Sequence, residues 1–133
     1  MKINIGEIWL AFIPILEFDK MGRISYKAQT RPCLIVDDGR GFIVNDDTRN
    51  YHILKITSKY DTYRRKSITN WKEIGLKKKS YTRIELPIKL EKKQLIKKIA
   101  IIPIEELIDI YSDIFNIINT KCLEQFANLC SNN

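Results

Sequence analysis

The chain has 133 residues, 44% of them hydrophobic, with a formal net charge of +7. That length suits one domain, and that apolar content excludes wholesale disorder. No apolar run approaches the ~18–20 residues of a membrane span, and the positive excess points to an anionic partner without choosing one.

The charge is unevenly spread. Between Lys59 and Arg83 nine Lys/Arg stand against Asp61 and Glu73. From Ile104 onward Glu105, Glu106, Asp109, Asp113 and Glu124 stand against Lys121. Such a basic middle is either a solvated face or an anion-binding one. The three cysteines, Cys33, Cys122 and Cys130, have no CxxC spacing, and His52 is the only histidine. Buried, reduced thiols are expected, with no disulfide framework, no metal site and no cofactor. The start is interrupted by Lys2, Asn4, Gly6 and Glu7 and does not read as a signal peptide, so a cytoplasmic protein is expected.

Ile5 to Ile13 reads as a strand with Trp9 and Phe12 as core candidates, ended by Pro14. Residues 15–30 lack sustained periodicity and read as a long loop or short hairpin. Cys33 to Val36 is a short apolar strand, and Asp37 to Gly41 a turn. Gly41 to Asn45 and His52 to Thr57 are further strands. Ile68 to Trp71 is a short strand or turn, and Lys77-Lys78-Lys79 a solvated turn. Ser80 to Leu86 alternates like a half-buried strand, with Pro87 at its end or edge. Residues 91–98 read as a turn or short helix, and Ile99 to Ile102 as a last strand. Pro103 then opens a helix at its first position. Ile104, Leu107, Ile108, Tyr111, Phe115, Ile118, Cys122, Phe126 and Leu129 recur at helical spacing. Asn119-Thr120 is a candidate break. The pattern predicts a mainly β fold, a small curled sheet or barrel with one packed helix.

Four pieces carry polar residues that a buried sheet does not need. Arg31 precedes Pro32, which biases its backbone to the extended conformation at a strand end. Its fork matches phosphate oxygens, and an ion pair with a loop carboxylate is the competing reading. Thr57 and Ser58 end an apolar strand, where hydroxyls bind a phosphate oxygen or cap a turn. Arg83 and Glu85 lie two apart and share a strand face. They form either an acid–base pair or an ordinary surface ion pair. Tyr81 shares that face, where a ring can stack on a base. Lys59 and Arg64 belong to the basic middle. His52 has no partner at a useful spacing and reads as structural.

The four pieces are Gly6-Glu7-Ile8-Trp9-Leu10, Arg31-Pro32-Cys33-Leu34-Ile35-Val36, Ile56-Thr57-Ser58 and Arg83-x-Glu85-x-Pro87. In this order they resemble the MazF/PemK (Kid-like) family of toxin endoribonucleases. Trp71 to Ser80 resembles its PemK-like branch. The resemblance covers residues 5–118. It implies an SH3-like barrel over residues 1–118 with a C-terminal helix, and leaves residues 119–133 as a helical extension. It also implies a homodimer and a cognate antitoxin that docks near residues 15–30. The implied activity is metal-independent, sequence-selective cleavage of single-stranded RNA. A 2′-hydroxyl attacks the adjacent phosphorus and leaves a cyclic phosphate and a 5′-hydroxyl.

Carried over residue by residue, Arg31 and Thr57 bind the scissile phosphate, with Ser58 assisting. Arg83 is the general acid and Glu85 the general base. Ser58, Lys59, Arg64 and Tyr81 are expected to bind RNA. Glu85 stands where the family has Asp, Ala100 replaces a glycine, and the tail runs past the family's usual end. These departures sustain an alternative, a catalytically silent RNA- or protein-binding relative from a phage or mobile element. A DNA regulator is weaker, since the helix begins acidic and no helix-turn-helix pairing is evident.

Overall fold

The structure, a computed structural model, describes residues 2–40 and 50–131. The expected strand at Gly41 to Asn45 lies outside the described residues. Among the described residues seven strands form one antiparallel sheet: β1 (Glu7–Phe18), β2 (Ile24–Asp37), β3 (Tyr51–Thr57), β4 (Arg65–Ser67), β5 (Tyr81–Arg83), β6 (Ile88–Leu90) and β7 (Leu95–Ile101). A single helix, α1 (Ile104–Ser131), follows. The strand order is β4-β5-β3-β2-β1-β7, with β6 also on β3. The far edge of β3 is therefore shared: Tyr51 to Ile53 pair with β6, and Ile56 and Thr57 pair with β5. The fold is mainly β with a C-terminal helix, as the pattern predicts.

The central strands bury both faces, so their apolar runs do not alternate. Ile8, Leu34, Val36, Leu54 and Ile56 pack towards Leu107, Ile110 and Ile114 of α1. Trp9, Cys33, Ile35 and Ile53 pack on the other face with Ile3, Ile13, Leu90 and Leu95. Gly6 ties the segment before β1 to β2 and to the residue after β7. Its N–H donates to the Ile35 carbonyl and its carbonyl accepts from Ile102 N–H. Its φ of +86° and a Leu107 methyl only 3.3 Å from where a Cβ would stand explain the glycine.

Several expectations are corrected. Pro14 does not end β1; it faces Ala28 inside an eleven-pair ladder running from Ile8 to Phe18. The other edge of β1 is paired to β7 only as far as Ala11, so Pro14 sits where no ladder donor is needed on that edge. Phe12 is not core but 47% exposed, because the arm outruns the helix that covers Ile8. Of the two readings of residues 15–30, the hairpin holds: they form its two arms and tip. Asp19 closes its tip by accepting from Met21 and Arg23 N–H, with Gly22 at positive φ. Neither face of the arm is fully covered, so no buried period marks it. The expected strand to Leu86 is regular only to Arg83, and residues 91–98 divide into a short 3-10 turn and most of β7.

The helix runs unbroken through Asn119-Thr120. Pro103 precedes it and accepts from Leu107 N–H, so the proline caps the helix from outside. Cys33 is buried, and burial pushes its thiol up to about 12, whereas Cys122 and Cys130 are exposed, against expectation. His52 is buried in β3, and its Nδ1 has no hydrogen-bond partner. Among the described residues no helix is long and apolar enough to cross a membrane, and no cluster of His, Cys, Asp and Glu has a metal-binding arrangement.

Candidate functional site

One groove of about 580 Å3 opens where β2, β3, β4 and β5 meet. Its walls include Arg31 and Pro32 from β2, Lys55 to Thr57 from β3, Ser58 and Lys59 just beyond, Arg65 from β4, and Arg83 from β5. Lys77, Lys78 and Ser80 close one side, and Ile13 and Ile15 supply an apolar edge. Among the described residues seven cations line it and no carboxylate does. Arg31, Thr57, Ser58, Lys59 and Arg83, distant in sequence, thus come together. Glu85, Arg64 and Tyr81 do not line the groove.

Register explains the gathering. Cys33 faces Lys55 in the β2–β3 ladder, and continuing that register by one pair on the same face brings Arg31 beside Thr57. Ile56 faces Thr82 and Thr57 faces Tyr81 across the β3–β5 ladder. Arg65 faces Arg83 across the β4–β5 ladder. Residues directly opposite share a sheet face. The β4 strand is held from behind, where Lys66 pairs with Asp113 of α1 at 3.1 Å. Glu106 in the first turn of α1 accepts from both Thr69 N–H and its hydroxyl.

Several of these side chains have a defined neighbour. Arg31 donates through Nη2 to Gln29 Oε1 at 2.8 Å, so its fork is held by an amide rather than by a loop carboxylate. Thr57 Oγ1 accepts from Lys59 N–H at 3.1 Å, capping the turn while lining the groove. Arg83 Nη2 lies 3.4 Å from Glu85 Oε2, and Arg83 Nε is shielded with no hydrogen-bond partner. Tyr81 is 9% exposed and meets Tyr60 edge-on at 5.7 Å, so it is packed into the sheet while Tyr60 stays open to solvent. Arg64 has a φ of +51° and lies over the Tyr63 ring at 4.8 Å. Its carbonyl accepts from Ile84 N–H, which joins β4 to the chain after β5.

Lys55, Arg65, Lys77 and Lys78 are groove residues that sequence reading did not single out. Lys55 had a signal: it is two residues before Thr57 in a strand and shares its face. Arg65, Lys77 and Lys78 had only the general signal of the basic run 59–83, and it is the pairing with Arg83 that brings Arg65 to the groove. The first motif, by contrast, is scaffold. Trp9 Nε1 donates to Glu7 at 2.9 Å, Asn4 N–H donates to the same carboxylate oxygen, and Lys98 lies 3.6 Å from the other. Burial alone would raise the Glu7 carboxyl, but the hydrogen bonds from Asn4 and Trp9 and the Lys98 charge outweigh it and hold the pKa below 4.5.

No protein-family model and no curated protein matches the chain.

Proposed function

We propose that this protein is a metal-independent endoribonuclease of the MazF/PemK type, the toxin of a type II toxin–antitoxin pair in the cytoplasm. The observation that carries the reading is the groove in which Arg31, Thr57, Ser58, Lys59 and Arg83 converge from separate segments, with no carboxylate among its walls in the described residues. A cationic groove of this kind suits a polyanion, and hydroxyls beside arginines suit the oxygens of one phosphate. On this reading the sheet is an SH3-like barrel, the protein works as a homodimer, and the antitoxin docks on the β1–β2 arm.

In the proposed reaction the substrate 2′-oxygen bonds to phosphorus and the bond from phosphorus to the 5′-oxygen breaks. Glu85 takes the 2′-hydroxyl proton, Arg83 gives one to the departing 5′-oxygen, and Arg31 and Thr57 stabilise charge on the phosphate. The test is incubation with a long single-stranded RNA in excess EDTA. Discrete cuts with 5′-hydroxyl ends are expected, and Arg31→Ala is expected to abolish them. Cuts that persist unchanged in Arg31→Ala sink the assignment.

A second reading has its own observation. Glu85 is engaged with Arg83 and is not part of the groove wall, which suits a silent RNA-binding relative. Glu85→Gln separates the two. An active enzyme loses cleavage, by roughly 10²–10⁴-fold for a general base, while keeping RNA affinity. A wild-type protein that binds RNA and never cuts it supports the silent module.

A further inference from the structure

We propose that Arg65 and Arg83 together form an oxyanion site that grips one phosphodiester of a single-stranded RNA lying across the groove. The proposal rests on the reading that the groove binds RNA and does not require cleavage.

The two arginines are direct cross-strand partners at the end of the short β4–β5 ribbon. Like charges directly opposite each other destabilise a ladder. The β3–β5 register, continued one pair past Ile56 and Thr82, sets Lys55 beside Arg83 on the same face. Three cations then cross three adjacent strands in a row, and all three line the groove. Glu85, at 3.4 Å from Arg83, is the one carboxylate ion-paired to this row among the described residues. Arg65 Nη1 reaches only the Tyr63 and Arg64 carbonyls, at 3.4 and 3.5 Å. The Nε atoms of both arginines are shielded and lack any hydrogen-bond partner among the described residues.

A shielded guanidinium edge without an acceptor is costly, and a like-charge row adds to the cost. One anion answers both. An oxyanion between the two forks places negative charge in the row and, once each side chain turns towards it, supplies acceptors for the Nε–Nη edges. The fork geometry of arginine suits phosphate oxygens, which a lysine at position 65 would meet only as a point charge. Arg31 lies on β2, three strand positions from β4 in the sheet order. Arg83, on β5 between them in that order, is the side chain the clamp shares with the Arg31–Thr57 end of the groove.

The test uses the full chain, Arg65→Gln, Arg65→Lys and the tail control Lys121→Gln. Two quantities are measured: anisotropy of a short fluorescent single-stranded RNA against salt, and Tm against added inorganic phosphate. In chloride buffer Arg65→Gln is expected to melt at or above the wild-type Tm, because repulsion is removed. It is expected to lose the phosphate-induced rise in Tm, to bind RNA roughly tenfold more weakly, and to flatten the log–log salt slope by about 0.7. Arg65→Lys keeps the slope but binds more weakly than wild type, and Lys121→Gln changes neither. If wild type binds RNA with a steep salt slope and Arg65→Gln matches it, the clamp is wrong and the RNA reading stands. If wild type binds no RNA, the RNA reading fails and the clamp with it as a phosphodiester site; a phosphate-dependent Tm rise absent from Arg65→Gln would then mark a site for free phosphate only. An Arg65→Gln protein that fails to fold contradicts the repulsion argument and overturns the proposal unless a folded Arg65→Lys protein shows the weakened binding.

Discussion

A single carboxylate ties the start of the sheet to its last strand. Glu7 accepts from the Trp9 indole and from Asn4, and faces Lys98 of β7. Glu7→Ala leaves the buried indole N–H without an acceptor, which costs about 1–3 kcal/mol. The loss is measurable by urea denaturation at neutral pH. The pH dependence has a definite sign. The folded-state pKa lies below the ordinary 4.5, so the stabilisation is present above about pH 4.5 and is lost as pH falls through the folded value. Melting curves from pH 7 to pH 3 should therefore fall more steeply for wild type than for Glu7→Gln. Parallel curves would show that the charge on Glu7 is not what the fold uses. Residue chemistry alone did not show this role: Glu7 appeared as part of a motif, and only the packing of Asn4, Trp9 and Lys98 around it made it structural.

At the scale of elements, α1 is two helices in one. Its first half buries Leu107, Ile110 and Ile114 against the sheet. Its second half is exposed, with Phe126 and Leu129 each more than 60% accessible. The stripe at helical spacing predicted the helix, but it mixed residues that pack with residues that do not. Even over the sheet it marked Ile104, Ile108 and Phe115, which are exposed, and left out Ile110 and Ile114, which are buried, because a helix apolar on several sides does not say which side meets the sheet. Ile114→Ala should cost about 2–5 kcal/mol. Phe126→Ala should stay within about 0.5 kcal/mol in the isolated chain. Chemical denaturation of both variants checks the contrast. A large loss at Phe126 would mean that the outer half is covered in solution. The β1–β2 arm teaches the same lesson in reverse. Its residues lack a buried period, so the sequence suggested a loop or a short hairpin, and the cross-strand ladder carries it to Phe18.

At the scale of the whole molecule, the charge divides by side. The basic middle supplies Arg65, Lys77, Lys78 and Arg83 to the groove, whereas Glu106 and Asp113 of α1 hold the loop and strand that carry it. The groove should therefore bind single-stranded RNA with a strong dependence on salt. At about 0.7 per neutralised phosphate, three contacts give a log–log slope of roughly −2. Filter binding or anisotropy over a salt series measures it. A slope near zero would leave the groove without a polyanion to hold.

Sequence alone determined the class of fold, the closing helix, the apolar central strands and the residue types of the groove. Those follow from local rules: apolar runs, helical spacing, and the chemistry of arginine and hydroxyl side chains. It also brought Arg31, Thr57 and Arg83 forward, through the resemblance that their motifs carry in order; by pattern alone each had an ordinary structural reading as an ion pair or a turn cap. Tertiary structure decided which of these residues meet. Arg65 reaches the groove, and Arg64 does not, because the ladder pairs Arg65 with Arg83. Tyr81 is packed into the sheet beside Tyr60, and Glu85 is held by Arg83 outside the groove wall. Register is a property of two strands at once, and a shift of one residue sends every side chain to the other face. No single strand's sequence carries that information.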